Sequence, residues 1–260
     1  MAQFRHGAIH VPAPPGVPHL GTRARLTGPA PTRISWLDKC PADGDPLLND
    51  NIGNCVAIVP FRRFQTIDAN RTGIVTPIPD DEVLGRYEMN GGYVPADPNN
   101  PQTNATDNGT DTARDALNEV AAPLLLGPGG APRPVWWGKV SPGDAAHVAI
   151  ALKAAPLSIT LGLPLALQDD PESWGKRPGT GTGWDPTAGP QHRVMLGDLE
   201  DGFWTVVTWG LHTPIHPEVL ALPGFVLAVD CFYEANELEN LALAGADYDQ
   251  MRADMAALTA

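Results

Sequence analysis

The spacing of hydrophobic residues predicts a long helix that begins near Cys55. The positions expected on its buried side recur at helical spacing and are Val56, Val59, Phe64 and Ile67. Asn70 and Gly73 follow this pattern, and both residue types are common where helices end. Pro60 lies inside the segment and removes one backbone hydrogen bond, so we expect the helix to bend there.

The rest of the hydrophobic pattern predicts both helices and strands. Further helices are expected over residues 80–90, from Thr110 or Asp111 through Val120, over 141–154 and over 248–258. Strands are expected over residues 136–140 and 157–163, and a hairpin of two strands over 192–196 and 203–209. The dipeptide Asp201-Gly202 is typical of the turn in such a hairpin. These elements indicate an α+β fold, with a long polar loop over residues 91–110.

The first 35 residues are rich in proline and show almost no hydrophobic period. Proline favours extended, polyproline-like backbone, so this segment is either a disordered tail or an arm packed on its own domain or on a neighbouring subunit. We interpret it as an arm. The sequence then divides into an extended arm over residues 1–35 and one domain over residues 36–260, with a C-terminal helix at about 248–258.

The composition is that of a globular protein with an acidic surface. Hydrophobic residues make up 43% of the chain and charged residues 18%, with a formal net charge of -13. An acidic surface repels phosphate backbones, so we expect no nucleic-acid partner. The most apolar stretch, residues 148–167, is interrupted by Lys153, Pro156 and Pro164, so we expect no membrane insertion. The N-terminus does not have the pattern of a signal peptide.

The cysteine and histidine spacings do not favour a metal site. The three cysteines, none of them in C-x-x-C spacing, are Cys40, Cys55 and Cys231. Cys40 and Cys231 could form a disulfide, although free thiols in a reducing compartment are the simpler interpretation. Two histidine pairs have i, i+4 spacing and are His6/His10 and His212/His216. The first pair lies in the arm and a proline interrupts the second, so we expect neither a metal nor a cofactor.

Cys55 and His192 are the residues that the sequence singles out for chemistry. A thiol at a helix N-terminus lies near unpaired N–H groups, which favour the thiolate. His192 begins a predicted strand, and pairing across the hairpin places it opposite about residues 208–210. A nucleophile at a helix start, a histidine on a strand and an orienting group on the next strand form a cysteine–histidine site. The alternatives are a buried packing cysteine and a structural histidine.

Four blocks of the sequence, in the same order, resemble papain-like cysteine peptidases. They cover about residues 47–212 and read LLNDNIGNCVAIVPF, DNGTDTARDALNEV, KAAPLSITLGLPL and QHRVMLGDLEDGFWTVVTWG. The first block resembles the nucleophile helix and looks closest to a phage and prophage group with the signature L-G-N-D-x-x-G-D-C. The last resembles the pattern in which a histidine begins a strand and a W-G pair follows the third catalytic residue. The resemblance implies a papain-like α+β fold, in which the helix carrying the nucleophile cysteine packs on an antiparallel sheet.

The resemblance implies Cys55 as the nucleophile and His192 as its base and acid. Asn49, six residues before the cysteine, matches the amide side chain that helps to form the oxyanion hole. Trp209 matches the tryptophan that shields the catalytic hydrogen bond. Thr208 is the neighbour of Trp209 that could orient the histidine as a neutral acceptor.

Three positions depart from the family pattern. Val207 stands where the family has its orienting asparagine, and a valine cannot hydrogen-bond a histidine. Asn54 stands where the phage group usually has aspartate, and Gln191 stands where a small residue precedes the histidine. These departures make a retired catalytic site an alternative to an active one.

Two functions from different classes follow from this resemblance. The interpretation that we favour at this point is a virion-associated structural component of a phage, a capsid decoration or tail protein with a degenerate cysteine-peptidase-like site. Its partners would be phage structural proteins or other copies of itself, bound through the arm, and its location the virion or the host cytoplasm. The alternative is an active cysteine hydrolase, a peptidase or amidase, that uses Cys55 and His192. A peptide or glycan bound in the cleft is a third possibility.

Overall fold

A computed structural model of the protein describes residues 6–23, 29–100, 104–121, 135–234, 237 and 247–258. The helices are α1 (Leu20–Arg23), α2 (Cys55–Thr72), α3 (Asp80–Met89), α4 (Thr112–Ala121), α5 (Ala145–Ala154), α6 (Pro217–Leu220) and α7 (Tyr248–Leu258). The strands are β1 (Ala8–Ile9), β2 (Arg33–Ser35), β3 (Tyr93–Val94), β4 (Thr106–Asp107), β5 (Thr110–Asp111), β6 (Trp136–Val140), β7 (Leu157–Gly162), β8 (Gln191–Glu200), β9 (Phe203–Thr208), β10 (Leu211–Ile215) and β11 (Val226–Tyr233). Short 3-10 helices lie at Leu37–Lys39, Leu165–Leu167, Pro171–Gly175 and Thr182–Trp184.

One antiparallel sheet forms the centre of the fold. Over the described ranges it has seven strands in the order β10-β9-β8-β7-β11-β6, and β2 pairs with one end of β8. Alternate residues of β8 contact different layers of the fold: Val194 and Leu196 pack in one hydrophobic cluster with α5, and Met195 packs in another with α2. The sheet therefore lies between helices on its two faces, which confirms the predicted α+β class.

The hairpin that joins β8 to β9 forms where the sequence predicts it. Asp201 and Gly202 have φ angles of 50° and 86°. Positive φ at both central residues is the geometry of the tight turn whose twist matches two antiparallel strands. The β8–β9 ladder reaches the pair Met195–Val207. His192 lies just beyond that pair, at the open end of the hairpin.

Helix α2 forms where the sequence predicts the nucleophile helix, with Cys55 as its first residue. The helix ends at Gly73, whose φ of 79° is the left-handed conformation that glycine adopts without strain. Residues on nearly every side of α2 are buried, because the helix contacts β8 as well as α3 and α4. Its surroundings therefore fix the position of Cys55.

Buried ion pairs connect α2 to the neighbouring helices. Arg63 of α2 pairs with Glu119 of α4 at 3.7 Å. Arg86 of α3 pairs with the same glutamate at 3.1 Å and with Asp115 at 2.8 Å. All four side chains are almost fully buried, so each charge depends on its partners to offset the loss of water.

Several strands lie where the sequence pattern predicted none. Strand β10 contains Pro214, which is tolerated because β10 is at the edge of the main sheet. Strand β11 lies inside the sheet, although it contains the charged residue Asp230. The expected polar loop over residues 91–110 contains β3 and β4, which pair with each other, and it ends at β5. Residues 101–103 lie outside the described part.

The described residues of the arm pack on the domain. Strand β1 pairs in parallel with β5, and residues 33–35 form β2, a strand of the main sheet. Residues 1–5 and 24–28, also assigned to the arm, lie outside the described part. Among the described helices, none combines the length and the hydropathy that a membrane span requires.

Candidate active site

Cys55 lies at the N-terminus of α2, and its side chain has no exposed surface. The backbone N–H of Gly7 donates to its sulfur at an N–S distance of 3.4 Å. The backbone N–H groups of Arg193 and Val56 also favour the thiolate. Burial raises the pKa of the Cys55 thiol, and these three N–H groups act in the opposite direction. In this covered state, burial therefore favours the protonated thiol.

His192, also fully buried, lies in β8 and is held on two sides. Its Nε2 lies 2.6 Å from the hydroxyl oxygen of Thr208. Its ring stacks on Trp209 with ring centroids 4.4 Å apart, and Trp174 contacts it edge-on. Its Nδ1 has no hydrogen-bond partner within the described ranges. Burial lowers the pKa of His192 well below its usual value, and His6 lowers it further.

Thr208 and Val207 face different layers of the fold. Val207 packs with Val59 of α2 and Met195 of β8 in a small hydrophobic cluster. Neighbouring residues of a strand point to opposite faces, so Thr208 points to the face that carries His192. The residue after Thr208, Trp209, has a φ of 49°, so the chain turns sharply there. An asparagine at position 207 would therefore face α2, away from the histidine.

His192 and Cys55 both lie beneath the same short segment of the arm. Two consecutive residues of the arm contact them: the ring of His6 lies edge-on to His192 with centroids 5.2 Å apart, and Gly7 donates to the Cys55 sulfur. The backbone N–H of the residue after His192, Arg193, also lowers the pKa of the Cys55 thiol. The two side chains that the sequence singled out therefore lie under adjacent residues of the arm.

Asn49 lies in the tight loop before α2 and is fully buried. Its amide nitrogen donates to the carbonyl oxygen of Ile52 at 3.3 Å, and its own carbonyl oxygen has no partner within the described ranges. No hydrogen bond joins Asn49 to Cys55 among the described residues. Asn54 donates to the carbonyl oxygen of Leu47 at 2.9 Å and so closes the same loop.

An ordered segment of the arm covers the site. Residues 6–11, which we call the covering segment, run over Cys55 and His192. The carbonyl oxygen of Gly7 accepts from the N–H of Thr110 at 2.6 Å, and the N–H of His10 donates to the side-chain oxygen of Gln191 at 2.5 Å. Sequence reasoning placed the arm on the domain or on a neighbour, but it missed this location, because backbone contacts leave no pattern in the sequence.

A buried ion pair supports β8 immediately after His192. The guanidinium of Arg193 pairs with Asp230 of β11 at 3.0 Å and donates to the hydroxyl of Thr160 in β7 at 3.1 Å. Asp230 also accepts from the indole N–H of Trp137 at 3.1 Å. These contacts join four strands of the sheet and restrict the backbone that carries the histidine.

The remaining cysteines and histidines do not converge on a second centre. Cys40, Cys55 and Cys231 are free thiols, so the disulfide left open by the sequence does not form. His216 accepts from the N–H of Glu218 at the start of α6. Within the described ranges, no three histidine, cysteine, aspartate or glutamate side chains are grouped closely enough to hold a metal ion.

Comparisons with protein-family models and with curated proteins give no match for this sequence. Among solved structures, the fold is similar to xylellain, a cysteine protease from Xylella fastidiosa, with 11% identity, a TM-score of 0.55, and coverage of 89% of this chain and 97% of that one. A Carica candamarcensis cysteine protease in complex with E-64 has 15% identity and a TM-score of 0.48, over 78% of this chain and 99% of that one. The ragweed protease Amb a 11, in its proform, has 14% identity and a TM-score of 0.49, over 80% and 68%. The similarity to xylellain shows that the chain has the α+β fold of papain-like cysteine proteases.

Proposed function

We propose that the protein is a cysteine hydrolase, a peptidase or amidase, with Cys55 as its nucleophile and His192 as its base and acid. The observation that supports this most directly is the pair of contacts made by His6 and Gly7. These consecutive residues contact His192 and Cys55 respectively, so thiol and imidazole lie under one short segment of the arm. A thiol at a helix N-terminus beside an oriented imidazole is the arrangement used for nucleophilic catalysis.

In the proposed reaction, Nδ1 of His192 takes the thiol proton, and the Cys55 sulfur attacks the carbonyl carbon of an amide. The carbon–nitrogen bond then breaks, His192 returns the proton to the leaving amine, and a thioester joins the acyl group to Cys55. His192 next deprotonates a water molecule, which attacks the thioester. The carboxylic acid leaves, and the proton returns to the sulfur.

Two further side chains have proposed roles in this reaction. Thr208 accepts a hydrogen bond from the Nε2–H of His192, which leaves Nδ1 as the basic nitrogen. Asn49 joins the backbone N–H of Cys55 in stabilising the negative oxygen of the tetrahedral intermediate. Because the Asn49 amide donates to Ile52 in the covered state, this role requires its side chain to rotate when substrate enters.

The test is the rate at which iodoacetamide alkylates Cys55 as a function of pH, read by peptide mass spectrometry. We expect Cys55 to react at a lower pH than Cys40, a partly exposed thiol that serves as the internal reference. His192→Ala should remove this difference, and the control variant His216→Ala, which removes a histidine at the start of α6, should keep it. The same pH dependence for Cys55 in all three chains would contradict an ion pair between Cys55 and His192.

A second proposal is that the protein is a virion-associated structural component of a phage, a capsid decoration or tail protein. It is supported by the complete burial of Cys55 and by the valine at position 207, which leaves a threonine as the orienting residue. Its proposed partners are phage structural proteins or other copies of this chain, and its proposed location is the virion or the host cytoplasm. Many copies in purified particles would support this role, and a monomer absent from particles would exclude it.

A further inference from the structure

Gly7 lies between two other glycines directly over Cys55. A Cβ built on Gly7 would overlap the carbonyl group of Gly53. On the other side, a Cβ built on Gly109 would lie only 2.5 Å from the carbonyl oxygen of Gly7. Three backbones therefore pack against one another with no room for a side chain. We call the space between Gly53 and Gly109 the glycine slot.

One hydrogen-bond network fixes both walls of the glycine slot. The carboxylate of Asp107 accepts from the N–H of Gly53 at 2.8 Å and from the hydroxyl of Tyr87 at 2.5 Å. The same hydroxyl oxygen accepts from the N–H of Gly109 at 3.0 Å. Moving Gly53 and Gly109 apart would break hydrogen bonds to Asp107 or to Tyr87. The distance between the two walls is therefore set by residues of the domain and not by the arm.

At Gly7, His10 and Val11, the backbone of the covering segment forms hydrogen bonds with the domain. Thr110 donates to the carbonyl of Gly7, and Gln191 accepts from the N–H of His10. The N–H of Val11 donates to the hydroxyl of Thr112 at 3.2 Å. The side chain of Ile9, by contrast, is half exposed. Other extended peptides can form these backbone contacts, and the glycine slot is the position that restricts them by size.

We propose that this cleft is a binding site for extended peptides with a glycine over Cys55, and that the covering segment occupies it as a built-in ligand. If the protein is the cysteine hydrolase proposed above, its substrates would be peptides with a glycine beside the bond that is cleaved. This statement about substrates rests on that proposed function. Binding itself requires no turnover, so it can be tested separately.

The first experiment compares the full chain with Gly7→Ala and with the control Gly21→Ala. A Cβ on Gly21 would meet its nearest neighbour, the His147 ring, at 3.6 Å, which is an ordinary contact. Cys55 is alkylated by iodoacetamide at pH 8.5, with and without His192→Ala, so that accessibility is measured apart from catalysis. We expect Gly7→Ala to accelerate the alkylation at least tenfold and Gly21→Ala to leave it within twofold. An unchanged alkylation rate in Gly7→Ala would contradict the proposal that the slot accepts only glycine.

The second experiment adds a synthetic peptide with the sequence of residues 6–11, HGAIHV, to the Gly7→Ala chain. We expect this peptide to slow the alkylation of Cys55, while HAAIHV at the same concentration does not. Equal protection by both peptides would overturn the glycine requirement, and protection by neither would overturn binding of free peptides. Failure to cleave any peptide would contradict the hydrolase and leave these binding results unchanged.

Discussion

The Nε2 nitrogen of His192 lies 2.6 Å from the hydroxyl oxygen of Thr208, across the open end of the β8–β9 hairpin. This contact occupies one ring nitrogen, and the other, Nδ1, has no hydrogen-bond partner among the described residues. Val207, by contrast, faces α2. A hydroxyl one residue further along the strand can therefore orient the imidazole where an amide at position 207 could not.

Thr208→Val should lower the rate of Cys55 alkylation at pH 6 and kcat/KM for peptide cleavage by about tenfold. A hydrogen bond to an imidazolium contributes roughly 1.5 kcal/mol, and valine removes it without changing the size of the side chain. Thr208→Ser, which keeps the hydroxyl, serves as the control and should retain most of the activity. Equal rates for the valine and serine variants would show that Thr208 does not orient His192.

Asn49→Ala should reduce kcat for peptide cleavage by about 10²-fold and leave KM nearly unchanged, because a donor to the oxyanion acts in the transition state. The control is Asn51→Ala, since the exposed Asn51 amide contacts the neighbouring carboxylate of Asp50. Steady-state kinetics of the two variants against the parent chain give the comparison. A change in KM alone would assign Asn49 to the architecture of its loop instead.

Acidification should release the covering segment from the cleft. Burial lowers the pKa of His6, against a smaller opposing effect of Gln168 and Asp169, and burial with the nearby His6 lowers that of His192. A histidine whose pKa is lowered in the docked state favours docking only while its ring is neutral. This contribution to docking is fully present above the usual pKa of 6.5 and weakens as the pH falls below that value. Hydrogen exchange of the backbone amides of residues 6–11, corrected for intrinsic rates, should show less protection at pH 5 than at pH 7.5.

The variant His6→Phe provides the control for this pH dependence. Phenylalanine keeps a ring against His192 and Trp209 but does not titrate. In this variant, the protection of residues 6–11 from hydrogen exchange should depend less on pH than in the parent chain. Only His192 and more distant groups would still titrate. If both chains lose the same protection at pH 5, the titration of His6 does not govern docking.

Arg86→Met should lower the free energy of unfolding by about 3–5 kcal/mol, since it leaves Asp115 and Glu119 buried with less compensation. The exposed pair of Arg33 and Glu200 offers a matched comparison. Arg33→Met should change the same quantity by about 1 kcal/mol or less. Urea unfolding followed by circular dichroism measures both. Similar effects in the two variants would contradict the distinction between the buried and the exposed pair.

The sequence predicts the elements that local rules control. The turn at Asp201-Gly202 and the end of α2 at Gly73 depend on residues that accept positive φ, and both form as expected. Strand β11 was missed because Asp230 interrupts its apolar pattern. That carboxylate is buried against Arg193, a partner 37 positions away along the chain that no local pattern reveals.

For the candidate site, the sequence singled out two residues that the same segment of the arm contacts, but it did not reveal that segment. Cys55 and His192 come from a helix start and a strand, and the resemblance to a family supplied the expectation that they meet. The covering segment binds the domain through backbone hydrogen bonds, and it fits because Gly7 has no side chain. The proline-rich composition of the arm favours extended backbone, yet it contains no information about where that backbone binds.

The contacts of Arg63 determine which part of the site can move. Its guanidinium donates to the carbonyl oxygens of Pro156 and Phe232 at 3.3 and 2.5 Å, in addition to its ion pair with Glu119. The helix that carries Cys55 is thus anchored, and we expect the thiol to become exposed through movement of the arm, between a covered and an uncovered state. Any rate measured at Cys55 is then the intrinsic rate multiplied by the fraction of uncovered molecules. With about 1% uncovered, an intact site would be about 100-fold slower than its chemistry allows.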